Sequence, residues 1–518
     1  MSQQIGEKPS WKEAFTSWVH PTSVRMLFLG FSAGLPILLI FSTLSLWLRE
    51  ADISRSAVTF FSWAGLGYSF KFIWAPLVDL LPIPYLTRML GRRRSWILFS
   101  QLSIIVAICW MALVDPAASE NSLTYMACAA VMLGFTSATQ DIVIDAYRIE
   151  SAGISRQALL ASMYFTGYRL AMVVAGAGSL YVSTWFGTSA AAYSYVAWRS
   201  TYLVMAAVML IGVITTLVIP EPQISKDRIS HNFSARQYAQ ILGLFFVVSA
   251  SFALTFFHSG DIAEAVKTGV ASIAPLSEKF VGFCVEVLRF AVAVLVAGIV
   301  AITLVKVKLV DKHLVNQTYV LPVMDFFSRY SLRIAIILLL LVGFYRISDI
   351  VLGVISNVFY FDVGFSKPQI GAVSKTFGLI VTLIGGLGGG VLTMRYGVNK
   401  ILFVGALLSS LTNLLFILLA KTGASVSMLI MVIVADNLSG GIAVTAFLAF
   451  LSSLTNVSFT AVQYAIFSSV MTLFPKLFGG YSGTISTAIG YESFFLMTAC
   501  IGIPVLLLVW LVRGEAVN

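Results

Sequence analysis

The sequence predicts an all-α membrane protein with about fourteen transmembrane helices, and three observations lead to that prediction. Of the 518 residues, 58% are hydrophobic and 11% are charged. Soluble domains carry about 25% charged residues, so most of this chain has to be embedded in lipid. Apolar segments of about 20 residues, long enough to cross a bilayer as a helix, recur along the chain. They form two similar groups of six, separated by an additional pair.

The predicted membrane helices are joined by short loops, with longer connections near 220–235, 259–279 and 307–330. An even number of crossings returns the chain to the side on which it began. In order, the predicted segments are 24–48, 56–81, 95–114, 122–147, 158–183, 199–219, 236–258, 280–306, 331–358, 368–394, 398–420, 425–451, 458–483 and 490–513.

Membrane topology explains the net charge of +10. Lys and Arg concentrate in short loops on one side, including the turn at Arg92 to Arg94 and the loop that contains Arg148 and Arg156. Positively charged short loops stay on the cytoplasmic side of a membrane. The pattern therefore predicts that both termini are cytoplasmic, and it gives no reason to expect nucleic acid as a partner.

An internal repeat predicts the domain organisation. In each group of six, a polar loop after the first segment leads into a helix with a lysine, Lys71 or Lys375, and then into a basic turn. Such repeats are typical of secondary transporters whose halves move around a central site. The predicted regions are a tail at 1–23, a six-helix bundle at 24–220, a linker with two extra helices at 221–330, a second bundle at 331–513 and a tail at 514–518.

The N-terminal tail carries three aromatic residues at helical spacing, Trp11, Phe15 and Trp18. This spacing favours a short interfacial helix that leads into the first membrane segment. A partly ordered tail is the alternative.

Two carboxylates mark the fourth predicted segment as the first place to look for function. Asp141 and Asp145 lie four residues apart, so they share one helical face, and Gln140 lies beside Asp141. A carboxylate that faces lipid is costly, so this face should point to the protein interior or to a wet cavity. For Asp145, a salt bridge to Arg148 or Arg156 that only shapes the cytoplasmic end is the alternative to a functional role.

Further ionisable residues lie within predicted membrane segments, where such residues are usually functional. Arg346 and Asp349 are three residues apart on the ninth segment, so they can pair directly. Asp436 lies beside an asparagine and a Gly-Gly pair, and its functional and structural interpretations are equally open. The remaining members of this group are Lys71, Arg169 and Lys375.

The two six-helix halves and the basic turn resemble the major facilitator superfamily. That family carries G-x-x-x-D-R-x-G-R-R between its second and third helices. Here Ala75 occupies the first position, and Asp79 is separated by residues 80–90 from Gly91 and the three arginines. In the second half the acidic position is Met394. The matching positions there are Gly390, Arg395 and Gly397.

Several further runs, in the same order along the chain, resemble the AmpG muropeptide permeases. The resemblance covers most of both halves and does not extend to the two additional helices. Its runs are Gly30 to Pro36, Phe70 to Asp79, Gly91 to Trp96, Ser137 to Ala146, Gly167 to Leu170, Ser374 to Gly378 and Ala461 to Ala465.

The resemblance implies a proton-driven transporter in the inner membrane of a Gram-negative bacterium. Its substrates would be anhydro-muropeptides, N-acetylglucosaminyl-anhydro-N-acetylmuramic acid with or without a stem peptide. Their import serves peptidoglycan recycling and is linked to β-lactamase induction and hence to antibiotic resistance. Lipid, protons and the muropeptide are the expected partners, and we expect a monomer without cofactors.

Muropeptides are anions, so the cavity should offer cations, and arginine suits carboxylates because it can bind them with two parallel hydrogen bonds. Lys71, Arg169, Arg346 and Lys375 are the predicted cations. Gln140, Asn357 and Gln463 are predicted to bind hydroxyls and amides, and Tyr68 and Tyr168 to face sugar rings, although aromatic side chains more often serve packing. Asp141, Asp145 and Asp349 are the candidates for proton coupling, and the predicted gate consists of Asp79, Arg92, Arg93 and Arg94.

Other classes of function are less well supported. The run Gly385 to Gly390 lacks the Gly-Lys-Ser/Thr ending of a phosphate loop, and its spacing predicts close helix packing. The four cysteines and four histidines show no metal-ligand spacing, so no metal site is predicted. The alternatives are a transporter of another amphipathic anion, such as a coenzyme-A ester, and a membrane-embedded transferase that uses Asp141 and Asp145 as acid and base.

Overall fold

The computed structural model describes residues 10–54, 58, 61–189, 192–223, 233–273, 278–479 and 482–513. Within these ranges the chain forms helices and loops, with one isolated bridge between Ser189 and Ala192. The predicted all-α fold is confirmed. The chain divides into two compact units, Met1–Arg228 with Phe326–Asn518, and Ile229–Asp325. Parts of the predicted tails and linker, at 1–9, 224–232 and 514–518, lie outside the described residues.

The first part of the larger unit contains eleven α-helices. They are α1 (Trp11–Thr16), α2 (Pro21–Ile40), α3 (Ser42–Glu50), α4 (Leu66–Phe70), α5 (Ala75–Leu80), α6 (Leu86–Leu90), α7 (Arg92–Ala112), α8 (Glu120–Glu150), α9 (Ile154–Val173), α10 (Ser179–Trp185) and α11 (Tyr195–Val218). Short 3₁₀ turns occupy Ser17–Val19, Phe61–Gly65 and Lys71–Ile73, and a π-helical turn at Val174–Gly178 joins α9 to α10.

The smaller unit and the second half of the larger one continue the numbering. The smaller unit contains α12 (Ala235–His258), α13 (Gly260–Ile273), α14 (Glu278–Lys306) and α15 (Lys312–Val315), and α16 (Leu321–Arg329) leads out of it. The second half contains α17 (Leu332–Phe344), α18 (Ile347–Val363), α19 (Lys367–Gln369), α20 (Gly378–Tyr396), α21 (Val398–Thr422), α22 (Val426–Leu454), α23 (Thr460–Gly479) and α24 (Ser482–Val512). π-Helical turns at Asn316–Val320 and Ile370–Phe377 and a 3₁₀ turn at Val457–Phe459 complete the list.

Among the described residues, twelve helices are long and apolar enough to cross a membrane. They match twelve of the predicted segments. The exceptions are 458–483, where the apolar helix Val457–Leu473 is shorter, and 56–81.

The segment 56–81 is not the continuous helix that the sequence predicts. From residue 61 onward it consists of 3₁₀ turns alternating with the short helices α4 and α5. Pro76, in the first turn of α5, explains one break, because its ring lacks an N–H and would collide with the carbonyl four residues earlier. Lys71 therefore lies at an interruption of the helix, in the 3₁₀ turn Lys71–Ile73.

Glycines allow the helices of each half to approach closely. A Cβ on Gly30 of α2 would lie 2.1 Å from the carbonyl oxygen of Tyr164 on α9. In the second half, a Cβ on Gly385 of α20 would lie 2.5 Å from the carbonyl oxygen of Leu438 on α22. Only glycine allows such contacts between backbones. The packing role predicted for the run Gly385 to Gly390 is therefore confirmed.

The two halves meet where α9 begins and α20 ends. A Cβ on Gly390 would lie 2.5 Å from Ser162 Oγ, and one on Gly386 would lie 3.0 Å from the Phe165 ring. This end of the larger unit, called the closed end below, also carries the Arg92 to Arg94 turn. The closed end holds α1 as well, where Trp11 packs edge-on against Tyr396 at 6.2 Å between ring centroids.

The smaller unit is built on the antiparallel helices α12 and α14. Arg289 of α14 lies over the Phe256 ring at 4.0 Å and donates a hydrogen bond to the Phe256 carbonyl. Near the tip, Lys267 Nζ lies 2.9 Å from Glu286 Oε1. Most side chains of α12 and α14 are exposed, in keeping with helices that face lipid.

Candidate functional site

The polar face of α8 lies inside the protein, as predicted. Asp141 and Asp145 are each 7% exposed, and Gln140 and Arg148 are fully buried. Asp141, Asp145 and Arg148 follow each other at i, i+4 and i+7, so they line one face of the helix. The position of this face in the interior avoids the cost of charges in lipid.

Asp145 is shared by two cations. Its Oδ2 lies 3.8 Å from Lys71 Nζ, and its Oδ1 accepts a hydrogen bond of 3.3 Å from Arg148 Nη2. Of the two arginines considered as partners from the sequence, Arg148 is the one that pairs, and Arg156 is exposed. The break before α5 places the Lys71 ammonium, itself buried, beside this carboxylate.

Arg148 also crosses to the other half. Its Nη1 donates a hydrogen bond of 2.8 Å to Ser452 Oγ of α22, and its guanidinium lies 5.1 Å from the centre of the Tyr464 ring of α23. Gln157 of α9 accepts a longer bond of 3.4 Å from the same nitrogen. The sequence places Arg148 in a loop and misses this position, although its spacing of three from Asp145 and seven from Asp141 points to the same face.

Asp141 lies among tyrosines. Tyr68, Tyr164 and Tyr168 are close enough to interact electrostatically with its carboxylate. Tyr68 donates a hydrogen bond of 2.7 Å to Ser137 Oγ, and the Tyr164 and Tyr168 rings are 6.0 Å apart. Among the described residues, Asp141 Oδ1 has no hydrogen-bond partner. Tyr164 was not predicted, because a single tyrosine on an apolar helix carries no distinguishing signal.

A second group of charges comes from both halves. Arg346 Nε and Asp349 Oδ2 are 3.1 Å apart, which confirms the predicted pair. Asp436 interacts electrostatically with both of them. From the first half, Arg169 lies within electrostatic range of Arg346, and its guanidinium is 5.1 Å from the centre of the Phe165 ring. In the part of the chain that the structure describes, no carboxylate lies within 4.0 Å of Arg169.

The other predicted substrate ligands lie outside these two groups. Gln140 donates a hydrogen bond of 2.8 Å to Ser32 Oγ between α8 and α2. Gln463 is buried near the start of α23, where its Oε1 accepts hydrogen bonds from Arg329 Nη2 and from the backbone N–H of Asn456. Asn357 and Lys375 are exposed. Their roles as ligands stay predictions.

The predicted gate residues form a network around Arg93, which is fully buried. Its Nη2 lies 2.7 Å from Asp79 Oδ1, and it holds Glu150 through both Nε and Nη2, at 2.9 and 2.5 Å. Arg92 donates to the Asp79 carbonyl, and Arg94 donates to the Thr216 and Leu217 carbonyls. Of the three predicted arginines, Arg93 makes the ion pairs with Asp79 and Glu150.

Asp79 also binds the other half. Its Oδ2 accepts the backbone N–H groups of Ala461 and Val462, at 3.1 and 3.2 Å, in the first turn of α23. A carboxylate at a helix N-terminus satisfies free N–H groups and interacts favourably with the helix dipole. Glu221 is a further carboxylate that was not predicted here, and it accepts the backbone N–H groups of Arg93 and Arg94.

Two six-helix halves that meet around buried charges define a membrane transporter of the major facilitator fold. The fold is similar to that of the solved proton:xylose symporter XylE, with a TM-score of 0.56, 10% identity and coverage of 97% of this chain and 96% of that one. The fucose:proton symporter FucP of Escherichia coli also matches, with a TM-score of 0.56, 12% identity and coverage of 96% and 99%.

The relatives in sequence are more specific. The anhydromuropeptide permease of Escherichia coli is 28% identical over 95% of this chain and 80% of its own length. A Rickettsia felis transporter named AmpG 4 is 27% identical over 93% of this chain and 94% of its own length. The resemblance to the AmpG permeases is thereby confirmed, and the chain is a transporter rather than the transferase considered above. A family profile described as acetyl-coenzyme A transporter 1 matches residues 24–220.

Proposed function

We propose that this protein imports anhydro-muropeptides from the periplasm into the cytoplasm and couples their import to protons. The observation that carries the proposal is the approach of Arg169 and Arg346 from opposite halves, with no carboxylate within 4.0 Å of Arg169 among the described residues. Two facing cations of this kind are stabilised by an anion between them. The AmpG relatives, one of them named for anhydromuropeptide, support that substrate class.

The carboxylate of the lactyl group or the stem peptide would bind Arg169 and Arg346. Tyr68 and Tyr168, which are half-buried near Asp141, would offer their faces to the sugar rings. Binding that joins the two halves through one ligand favours the state in which the halves close around it.

Proton coupling rests on carboxylates that share cations with the binding site. Asp349 is paired with Arg346, and Asp145 lies near Lys71. When a substrate carboxylate takes over one of these cations, the protein carboxylate loses its counter-charge and binds a proton in its place. Asp141, with one oxygen unpartnered among the described residues, is the third candidate.

The closed end would be the cytoplasmic one, because it carries the basic turn, and both termini would lie on that side. Asp79 and Arg93, which link the first half to α23, would break and re-form as the halves rock. Import in this direction would supply peptidoglycan recycling and, through it, β-lactamase induction.

A second candidate substrate is a coenzyme-A ester. The match of the acetyl-coenzyme A transporter profile to residues 24–220 favours it for the first half. Such an ester is also an amphipathic anion, so the same arginines would suit it.

Uptake of labelled anhydro-muropeptide into proteoliposomes, with and without an inward proton gradient, tests the proposal. We expect gradient-dependent accumulation that unlabelled muropeptide competes away and acetyl-coenzyme A does not. Asp141→Asn separates the coupling residues, because accumulation that survives in this variant would transfer coupling to Asp145 or Asp349. Competition by acetyl-coenzyme A alone, with no muropeptide uptake by the folded protein, would replace the proposed substrate with the second candidate.

A further inference from the structure

Arg148 is the buried cation that the proposed function does not use. Its guanidinium contacts four side chains on four helices: Asp145 on its own helix, Gln157 on α9, Ser452 on α22 and Tyr464 on α23. Two of these contacts cross between the halves at the closed end. A fully buried arginine needs a carboxylate to compensate its charge, and Asp145 is the carboxylate in contact with it.

The two oxygens of Asp145 point to cations with different roles. Oδ2 faces Lys71, which belongs to the predicted binding site, and Oδ1 faces Arg148, which joins the halves. Asp145 therefore lies between the place where an anion would bind and the contact that holds the closed end. The longer distance of 3.8 Å to Lys71, against 3.3 Å to Arg148, makes the Lys71 contact the weaker of the two.

We infer that Asp145 and Arg148 form a switch that couples anion binding and protonation to the opening of the closed end. An anion that binds Lys71 removes one counter-charge from Asp145, which then takes up a proton from the open side. The neutral carboxyl no longer holds the guanidinium, and Arg148 leaves Ser452 and Tyr464. The anion adds one negative charge and the proton one positive charge, so the net charge of the group is unchanged. This inference rests on the proposed function for the identity of the anion.

Other groups around Asp145 would modulate the switch without replacing it. The titratable and charged side chains that face Asp145 are Lys71, Asp141 and Arg148, with Tyr164 and Tyr168 on α9 and Tyr464 on α23. Tyrosines stay neutral at physiological pH, so Asp141 is the other group here that can change charge in that range. The Asp141→Asn variant therefore belongs in the test.

The test measures the closed end directly, without substrate. Spin labels are placed at Ser155→Cys in the first half and Val457→Cys in the second, in full-length protein whose four native cysteines have been replaced. In lipid nanodiscs, double electron–electron resonance then reports the distance between the labels at alkaline and mildly acidic pH. In otherwise unaltered protein we expect a short distance at alkaline pH and a longer population, increased about tenfold, at acidic pH.

Each variant has a distinct expected effect. Asp145→Asn should give the longer distance at both pH values, because the carboxylate is absent. Ser452→Ala should enlarge the longer population and keep its pH dependence, since only the contact across the halves is lost. Arg148→Lys should retain part of the short population that Arg148→Gln loses. Arg156→Gln, at an exposed arginine nearby, serves as the matched control and should change nothing.

Two results would overturn the switch: an Asp145→Asn protein that stays closed with an unaltered pH response, or an Arg148→Gln protein indistinguishable from Arg156→Gln. Variants are compared only where size-exclusion profiles and thermal unfolding match the parent, and Ser452→Ala keeps the test valid if the Arg148 variants do not fold. Uptake is measured in parallel. A pH-responsive closed end without muropeptide uptake would reject the substrate and keep the switch, whereas gradient-driven uptake with an unresponsive closed end would do the reverse.

Discussion

Arg93 at the closed end and Arg169 at the centre are two arginines inside the same unit with opposite surroundings. Arg93 is held by Asp79 on one side and Glu150 on the other. Arg169 faces a second arginine and an aromatic ring. A buried charge with complete partners stabilises the fold or a conformational state, whereas a charge without a counter-ion is a place for a ligand. The comparison separates structural from binding cations more reliably than burial does.

The largest effect should come from Arg93→Gln. Removal of this cation leaves Asp79 and Glu150 buried without their partner, which should lower the free energy of unfolding by about 3–5 kcal/mol. Denaturant unfolding of the purified protein would measure it. Arg94→Gln is the matched control, because the Arg94 side chain binds backbone carbonyls rather than carboxylates. Equal losses in the two variants would contradict the distinction between them.

Arg169→Gln should act on transport and spare the fold. Loss of a charge-assisted contact to the substrate carboxylate should reduce uptake about tenfold to a hundredfold. The unfolding midpoint should stay unchanged or rise, because the variant relieves repulsion with Arg346. Arg333→Gln, at an exposed arginine, controls for the general loss of one positive charge. Unfolding of the Arg169 variant with normal uptake in the remainder would reverse the interpretation.

A third test concerns the contact between the halves rather than the charges. In Gly390→Ala the new Cβ would lie 2.5 Å from Ser162 Oγ and 3.3 Å from the Ala158 carbonyl oxygen. We expect the closed end to be destabilised by about 1–3 kcal/mol relative to the open one. The distance between labels at residues 155 and 457 would report the shift. Gly388→Ala gains the same helix propensity and meets nothing within 4 Å, so it should leave the distance unaltered.

The smallest effect is expected in the other unit, where charges are accessible to solvent. The hydrogen bond to Glu286 raises the pKa of Lys267 above its ordinary value. The pair therefore contributes stability below the ordinary pKa of about 10.4, and this contribution disappears as pH rises through the higher pKa of the folded protein. Lys267→Ala should cost no more than about 0.5 kcal/mol at neutral pH, measured by thermal unfolding against Lys312→Ala. A loss of several-fold more would show that this pair is not a solvent-screened one.

The fold could be predicted from the sequence because apolar length alone identifies membrane helices. The carboxylates of α8 could be found because a spacing of four residues is a local property. The interruption before α5 was missed, although Pro76 signals it, because the apolar pattern continues through it. Arg148 was assigned to a loop because Ser452, its partner in the other half, lies 304 residues away in the chain. Glu150 and Glu221 were missed for the same reason, since their arginine partners come from a distant turn.

The bond between Asp79 and α23 places an unusual demand on evolution. The groups it binds are the backbone N–H groups of residues 461 and 462, which every amino acid except proline supplies. The aspartate therefore restricts its partner helix only by excluding proline, and the side chains at these two positions can vary without loss of the contact. We expect such a contact to leave no trace in paired substitutions between the halves, so methods that infer proximity from correlated sequence change would not detect it.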